Sequence, residues 1–142
     1  IAGKAINLTQ TTAGHAMCYK LTSLYGIAHG HAAALCVSKL YPYMLKNIDK
    51  CVDPRGGKYL AKTFIKLANA YGCNESMAAT KIFDGLINEL NLEVPKYKEA
   101  DCNVLKNSVN LVRLKKHPVS LNIDVIDNLY HQILCRRIDN ES

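Results

Sequence analysis

Apolar residues recur every three to four positions along almost the whole chain, which is the spacing of one face of an α-helix. One such face consists of Leu60, Phe64, Leu67, Ala68 and Tyr71. The face predicted for the next helix consists of Ala79, Ile82, Phe83, Leu86, Ile87 and Leu90. Strand signals are nearly absent, since the segment 111–114 is too short and too charged to build a sheet. The pattern predicts an all-α fold, a helical bundle of about six or seven helices.

Turn and capping residues divide this pattern into separate helices. Gly26 can end the first helix in a left-handed conformation, and His29 then begins the next helix. Asn74 and Asn122 stand where a side-chain N-cap would start a helix. The chain breaks at His117, because the residue before a proline avoids the helical region. These residues predict helices joined by short connections.

Length and charge narrow the possible function classes. A chain of 142 residues, 49% of them hydrophobic, can bury a core without a metal or a disulfide. The net charge of +6 is spread along the chain, and no stretch interleaves aromatic and basic residues as a base-stacking surface would. No apolar run is long enough to span a membrane, and no signal peptide is recognisable. We therefore expect no nucleic-acid partner and no membrane partner.

The six cysteines are widely spaced. The chain has no C-x-x-C pair, which excludes a zinc ribbon or a thioredoxin-type motif on spacing. Several cysteines fall on apolar helix faces, where a reduced thiol packs as a small hydrophobic group. This spacing and placement of the cysteines predict a reducing, cytoplasmic compartment.

Three of the five histidines lie between residues 15 and 31. His15 and Tyr19 are four positions apart and so share a helix face. A helix of about three turns followed by a tight reversal can bring His29 back to His15, so that both could bind one metal ion. The alternative is a capping or surface pair, because zinc and iron sites need three or four ligands.

Other polar residues have less specific contexts. His117 precedes a proline in a charged loop, and His131 is predicted on the side of the last helix opposite Leu129 and Ile133. We expect both of these histidines to be solvated. Arg113 is a candidate for binding an anion, with little in the sequence to place it near His15 and His29.

Several stretches of the chain resemble the metal-binding signature of the iron-containing (group III) alcohol dehydrogenases. They are GKAIN at 3–7, TTAGHA at 11–16, LTS at 21–23 and YGIAHGHA at 25–32. That signature places two metal-binding histidines fourteen residues apart, and His15 and His29 occupy those positions. The segment NLVRLKKHPVSL at 110–121 resembles the family's closing loop before its last helix.

The resemblance implies a metal-dependent NAD(P)H alcohol dehydrogenase or aldehyde reductase. Its cofactors would be Fe²⁺ or Zn²⁺ together with NAD(H) or NADP(H). The implied roles are metal binding by His15 and His29, a wall near the nicotinamide from Ile6, substrate binding by Thr11 and Thr12, and proton relay by Tyr19 and His31. Capping or back-bonding by the two threonines is an open alternative, as is a solvated or supporting role for His31.

Within this family the chain is most similar to the phosphonoacetaldehyde reductases, through AINLTQTTA at 5–13 and the GHA that ends at residue 32. These enzymes reduce phosphonoacetaldehyde to 2-hydroxyethylphosphonate, so the resemblance implies a link to phosphonate metabolism. Three positions depart from the pattern. Tyr19 stands where many members carry a second histidine, and Gly14 and Ala28 stand where the subfamily usually has proline.

The family has an N-terminal dinucleotide-binding domain and a C-terminal helical domain. Residues 1–142 resemble the second, as a single helical metal-binding domain. The resemblance implies that the dinucleotide-binding domain and the helix with the other two metal ligands lie outside this chain. We then expect the chain to be inactive alone, and the whole protein to be a homo-oligomer acting on a small aldehyde or alcohol. A non-catalytic basic helical module that binds a partner is the alternative.

Overall fold

The computed structural model describes residues 11–96 and 98–135. Within these ranges the chain forms seven α-helices and no strand, so the predicted all-α fold is confirmed. In chain order the helices are α1 (Ala13–Tyr25), α2 (His29–Lys46), α3 (Gly57–Ala70), α4 (Ser76–Glu89), α5 (Glu99–Asn107), α6 (Leu111–Lys115) and α7 (Ile123–Leu134). None of these described helices is long and apolar enough to cross a lipid bilayer.

The larger of two hydrophobic cores lies between α1, α2, α5 and α7. Met17, Leu35 and Tyr130 are among its fully buried side chains. The Tyr130 hydroxyl donates a hydrogen bond of 2.9 Å to the carbonyl oxygen of Met17. This bond satisfies a buried polar group and ties α7 to the helix that carries His15.

The smaller core lies at the other end of α2 and is formed with α3 and α4. Its buried members are Tyr41, Leu60, Phe64, Ala68, Ala79 and Val119. The rings of Tyr41 and Phe64 stack with centroids 5.5 Å apart. Val119 reaches this core from the loop before α7, where it forms an isolated antiparallel bridge with Cys51.

The apolar faces predicted for α3 and α4 are wider than the faces that the structure buries. On α3, Leu60, Phe64 and Ala68 are buried as predicted, but Leu67 and Tyr71 are exposed. On α4 the predicted residues that stay exposed are Ile82, Leu86 and Leu90. Periodicity predicts which residues could pack, whereas burial depends on which neighbouring helix covers them.

Two of the three predicted helix-capping residues are confirmed. Gly26 ends α1 in the left-handed region with φ 67°. The Asn122 side chain accepts a hydrogen bond of 2.9 Å from the backbone N–H of Val125 at the start of α7. The prediction for Asn74 is wrong, because α4 begins one residue later with Glu75 at the N-cap and no side-chain cap.

The cysteines are free thiols in the structure. Cys18, Cys36 and Cys102 are buried in the larger core, as expected for reduced cysteines on apolar helix faces. Burial raises the pKa of the Cys36 thiol well above its usual value. This thiol therefore stays neutral and acts as a packing group.

Candidate metal centre

The candidate site is built on the reversal between α1 and α2. The backbone N–H of Gly26 donates to the carbonyl oxygen of Thr22 at 3.0 Å, which closes the last turn of α1. Only open space surrounds the position where a Cβ would stand on Gly26, so its positive φ is the reason for glycine here. Helix α2 then begins at His29, as the sequence predicts.

This reversal brings three aromatic side chains together. The ring centroid of His29 lies 5.3 Å from that of His15 and 5.3 Å from that of Tyr19. His15 and Tyr19 therefore share a face of α1, and the first residue of α2 packs beside both. The proximity expected for the two histidines is confirmed, whereas metal binding by them stays a prediction.

The surroundings of His15 favour its neutral form. Burial lowers the pKa of this imidazole below its usual value, and the nearby charges of His29 and Arg113 lower it further. A histidine must be neutral at the ligating nitrogen to bind a metal. The site therefore holds His15 in the form that a metal requires.

Cys18 contacts both histidines, a contact that the sequence does not reveal. Its Sγ donates to the carbonyl oxygen of His15 at 3.4 Å and lies 3.7 Å from Nδ1 and 3.8 Å from Nε2 of His29. Burial is the main reason that the pKa of the Cys18 thiol is raised. The Cys18 thiol therefore packs as a neutral group beside the His29 ring.

Arg113 is the functional candidate whose place the sequence could not predict. Its guanidinium carbon lies 4.9 Å from the centroid of the Tyr19 ring. Its Nη1 donates to Oγ1 of Thr11 at 3.4 Å. Helix α6 packs against α1, although the two are far apart in the sequence, and this packing places Arg113 near the histidine pair.

The remaining predicted site residues have different positions. Thr12 occupies the N-cap position of α1, where its side chain makes no capping hydrogen bond. His31 lies in the first turn of α2, and its buried Nε2 has no hydrogen-bond partner among the described residues. Ile6 lies outside the residues that the structure describes.

His15 and His29 fit a metal as part of a larger ligand set. Within residues 11–96 and 98–135, no group of three or more His, Cys, Asp or Glu side chains could hold an ion. Two imidazoles side by side are typical ligands for divalent zinc or iron, which need one or two further ligands. The pair therefore fits the half-site that the sequence implies.

The expectation that His117 is solvated is wrong. Its side chain is buried, with only 4% of the residue exposed, and neither ring nitrogen has a hydrogen-bond partner in the described part of the chain. Burial lowers the pKa of His117 to about 4. The cause is tertiary, because Val52 donates to Pro118 and Ser120 donates to Lys50, which pulls the loop inward.

His131 is partly exposed, as expected for the outward side of α7. Its Nδ1 lies 2.9 Å from the backbone oxygen of Asp127, one turn earlier in the helix.

The structure is a helical domain that places two histidines side by side at the α1–α2 reversal. Residues 1–113 match the family described as "Fe-containing alcohol dehydrogenase family, C-terminal". The chain belongs to this family.

One curated relative is the "Phosphonoacetaldehyde reductase" of Streptomyces viridochromogenes, which is 35% identical over 82 residues. The alignment covers 57% of this chain and 21% of the relative, so the chain matches about a fifth of that protein's length. No solved structure matches the chain.

Proposed function

We propose that residues 1–142 form one helical domain of a metal-dependent NAD(P)H aldehyde reductase and contribute His15 and His29 to its metal centre. The observation that carries this proposal is the placement of the two imidazoles, 5.3 Å apart between ring centroids. The remaining ligands and the dinucleotide site would come from other parts of the whole protein. Membership of the Fe-containing alcohol dehydrogenase family supports this division.

The metal site needs two neutral imidazoles held in a fixed orientation. Burial favours the neutral form of His15, and the nearby positive charge of Arg113 favours it further. His29 packs beside the Tyr19 ring and the Cys18 thiol. A bound Fe²⁺ or Zn²⁺ supplies Lewis-acid polarisation of a carbonyl, and a nicotinamide supplies the hydride.

Reduction of an aldehyde also requires a proton for the oxygen atom. Tyr19 is the better placed of the two predicted relay residues, because its ring packs beside His29 and 48% of the residue is exposed. Its hydroxyl can donate that proton and recover one from solvent. His31 is the second candidate, and support for it comes from its unpartnered Nε2.

The proposed substrate is phosphonoacetaldehyde, which gains a hydride and a proton to give 2-hydroxyethylphosphonate. The similarity to a phosphonoacetaldehyde reductase supports this choice over other aldehydes. The positive charge of Arg113 beside the histidine pair also suits a substrate that carries a negative group.

The test is an assay of NADH and NADPH oxidation by the full-length protein, with phosphonoacetaldehyde beside butanal. Each reaction is run on chelator-treated protein and again after addition of Fe²⁺ or Zn²⁺. We expect metal-dependent turnover that favours the phosphonate. Turnover of butanal alone would contradict the proposal that phosphonoacetaldehyde is the substrate. Absence of turnover with either metal would contradict the proposed reductase activity.

A further inference from the structure

Among the residues that the structure describes, no carboxylate forms an ion pair with the positively charged Arg113. Its contacts in the described structure are Tyr19 and Thr11, and no ion pair joins it to an Asp or Glu there. A half-buried guanidinium that no described carboxylate pairs gives this surface a positive charge, which favours an anionic ligand.

The guanidinium is held in place before any ligand arrives. It lies over the Tyr19 ring with its carbon 4.9 Å from the ring centroid, a cation–π contact. Its Nη1 also donates a long hydrogen bond of 3.4 Å to Thr11, which restricts rotation of the planar group. An arginine has five N–H donors, so most of them remain for another acceptor. An orientation fixed in advance lowers the entropy lost when an anion binds.

We propose that Arg113 binds the anionic group of the aldehyde substrate and thereby selects anionic aldehydes over neutral ones. This inference rests on the proposed function and names the substrate class of the same site. The group would be a phosphonate or a chemically similar oxyanion, because the guanidinium fork can bind two of its oxygens at once. Tyr19 and Thr11 act as positioning residues for the guanidinium.

The geometry favours the substrate over the diphosphate of a dinucleotide cofactor. Dinucleotide phosphates are commonly bound by glycine-rich turns at the start of a helix. Arg113 instead lies over the Tyr19 ring on α1, and its charge acts on the candidate ligand His15.

The experiment compares Arg113→Gln and Arg113→Lys with the full-length wild-type protein. The matched control is Lys115→Gln, which removes an exposed positive charge from the same short helix α6. We expect Arg113→Gln to lower kcat/KM for phosphonoacetaldehyde by about 10- to 100-fold, the range of charge-assisted hydrogen bonds. In the same variant, kcat/KM for butanal should barely change. For phosphonoacetaldehyde, kcat/KM of Arg113→Lys should lie between those of the wild type and Arg113→Gln, and that of Lys115→Gln should equal the wild-type value.

Three outcomes would overturn the inference. Equal losses for phosphonoacetaldehyde and butanal would show that Arg113 only supports the fold. An increase in KM for the nicotinamide cofactor alone would assign the guanidinium to a nucleotide phosphate. An unchanged kcat/KM for phosphonoacetaldehyde in Arg113→Gln would show that Arg113 does not bind the substrate.

A binding measurement separates this inference from the proposed function. Methylphosphonate is titrated calorimetrically into each full-length variant, and circular dichroism confirms that each variant is folded. Even if no aldehyde is reduced, methylphosphonate binding that weakens at least about 10-fold in Arg113→Gln would support the anion site. Equal affinity in both proteins, or no binding to the wild type, would overturn it. If Arg113→Gln does not fold, the same comparison is made with Arg113→Lys.

Discussion

The histidine pair at the α1–α2 reversal and the single histidine before α7 occupy opposite environments. His15 and His29 lie at a surface, within contact distance of each other and of Tyr19. His117 is buried, with no hydrogen-bond partner for either ring nitrogen in the described residues. Burial lowers the pKa of His15 and of His117, yet only His15 has a second imidazole beside it.

This difference shows why a lowered histidine pKa does not by itself identify a functional site. At His15 the neutral imidazole lies beside a second potential ligand at an accessible surface. At His117 the neutral imidazole is enclosed, so its main effect is on stability. A candidate metal ligand is distinguished from a core histidine by the potential ligands beside it, and not by its protonation state.

The largest expected effect comes from removing one member of the pair. His29→Ala in the full-length protein should abolish metal retention and aldehyde reduction. Even loss of a partner that orients a metal ligand costs about 10- to 100-fold in affinity, and loss of a ligand should cost more. The measurements are metal content after dialysis and the rate of NAD(P)H oxidation.

His117→Leu is the matched control for this variant. It removes an imidazole of the same chain from a buried position, so metal content should stay at the wild-type level near neutral pH. If His29→Ala keeps both its metal and its rate, the assignment of the pair as ligands is wrong. Loss of metal in a folded His117→Leu variant would remove the contrast between the two environments.

Acid should destabilise the protein through His117. The folded pKa of about 4 lies below the usual histidine value of 6.5, so the unfolded chain binds more protons between these pH values. The free energy of unfolding should therefore fall as the pH drops from about 6.5 towards about 4, by about 3 kcal/mol in total. Urea titrations at pH 7.5 and pH 4.5 measure most of this change.

The His117→Leu variant isolates this contribution. Leucine has no proton to gain, so its stability should change less over the same pH interval than that of the wild type. Asp53 contributes at lower pH, since a hydrogen bond from Arg55 lowers the pKa of its carboxyl to about 2. An identical pH dependence in His117→Leu and wild type would show that His117 is not the titrating group.

The contrast also marks what the sequence can predict. The proximity of His15 and His29 follows from local rules, namely a helix of known rise, a left-handed glycine and an immediate restart. The burial of His117 depends on Val119 joining Cys51, in a segment far away along the chain. A histidine in a charged stretch before a proline gives no local sign of that contact.

Arg113 and α4 show the same limit. Periodicity or capping residues can suggest that helices α4 and α6 exist. The neighbouring helices decide what surrounds α4 and Arg113. Arg113 reaches the site only because α6 packs on α1, and Ile82 and Leu86 stay exposed because no described helix covers that side of α4. The helices and their ends could be predicted for this reason more reliably than the full content of the site.

Gly26→Ala tests the local rule that forms the pair. An alanine Cβ would meet no atom, so the cost comes from the positive φ, roughly 1–2 kcal/mol in the free energy of unfolding. Relief of this strain would move His29 relative to His15, so metal affinity should also fall. Urea unfolding measures the first effect and metal titration the second. Weaker metal binding without any loss of stability would contradict this strain mechanism.

Asn122→Ala is the corresponding test beside His117 and has the smallest expected effect. It removes the hydrogen bond from the Asn122 side chain to the Val125 N–H, and loss of an N-cap costs about 1 kcal/mol. Asn122→Asp should keep that bond and most of the stability. Metal affinity should not change in either variant, because this cap lies at the start of α7, away from the reversal that places His15 and His29. A fall in metal affinity as large as that of Gly26→Ala would mean that the two histidine environments are coupled through α7 and the Tyr130 bond to Met17.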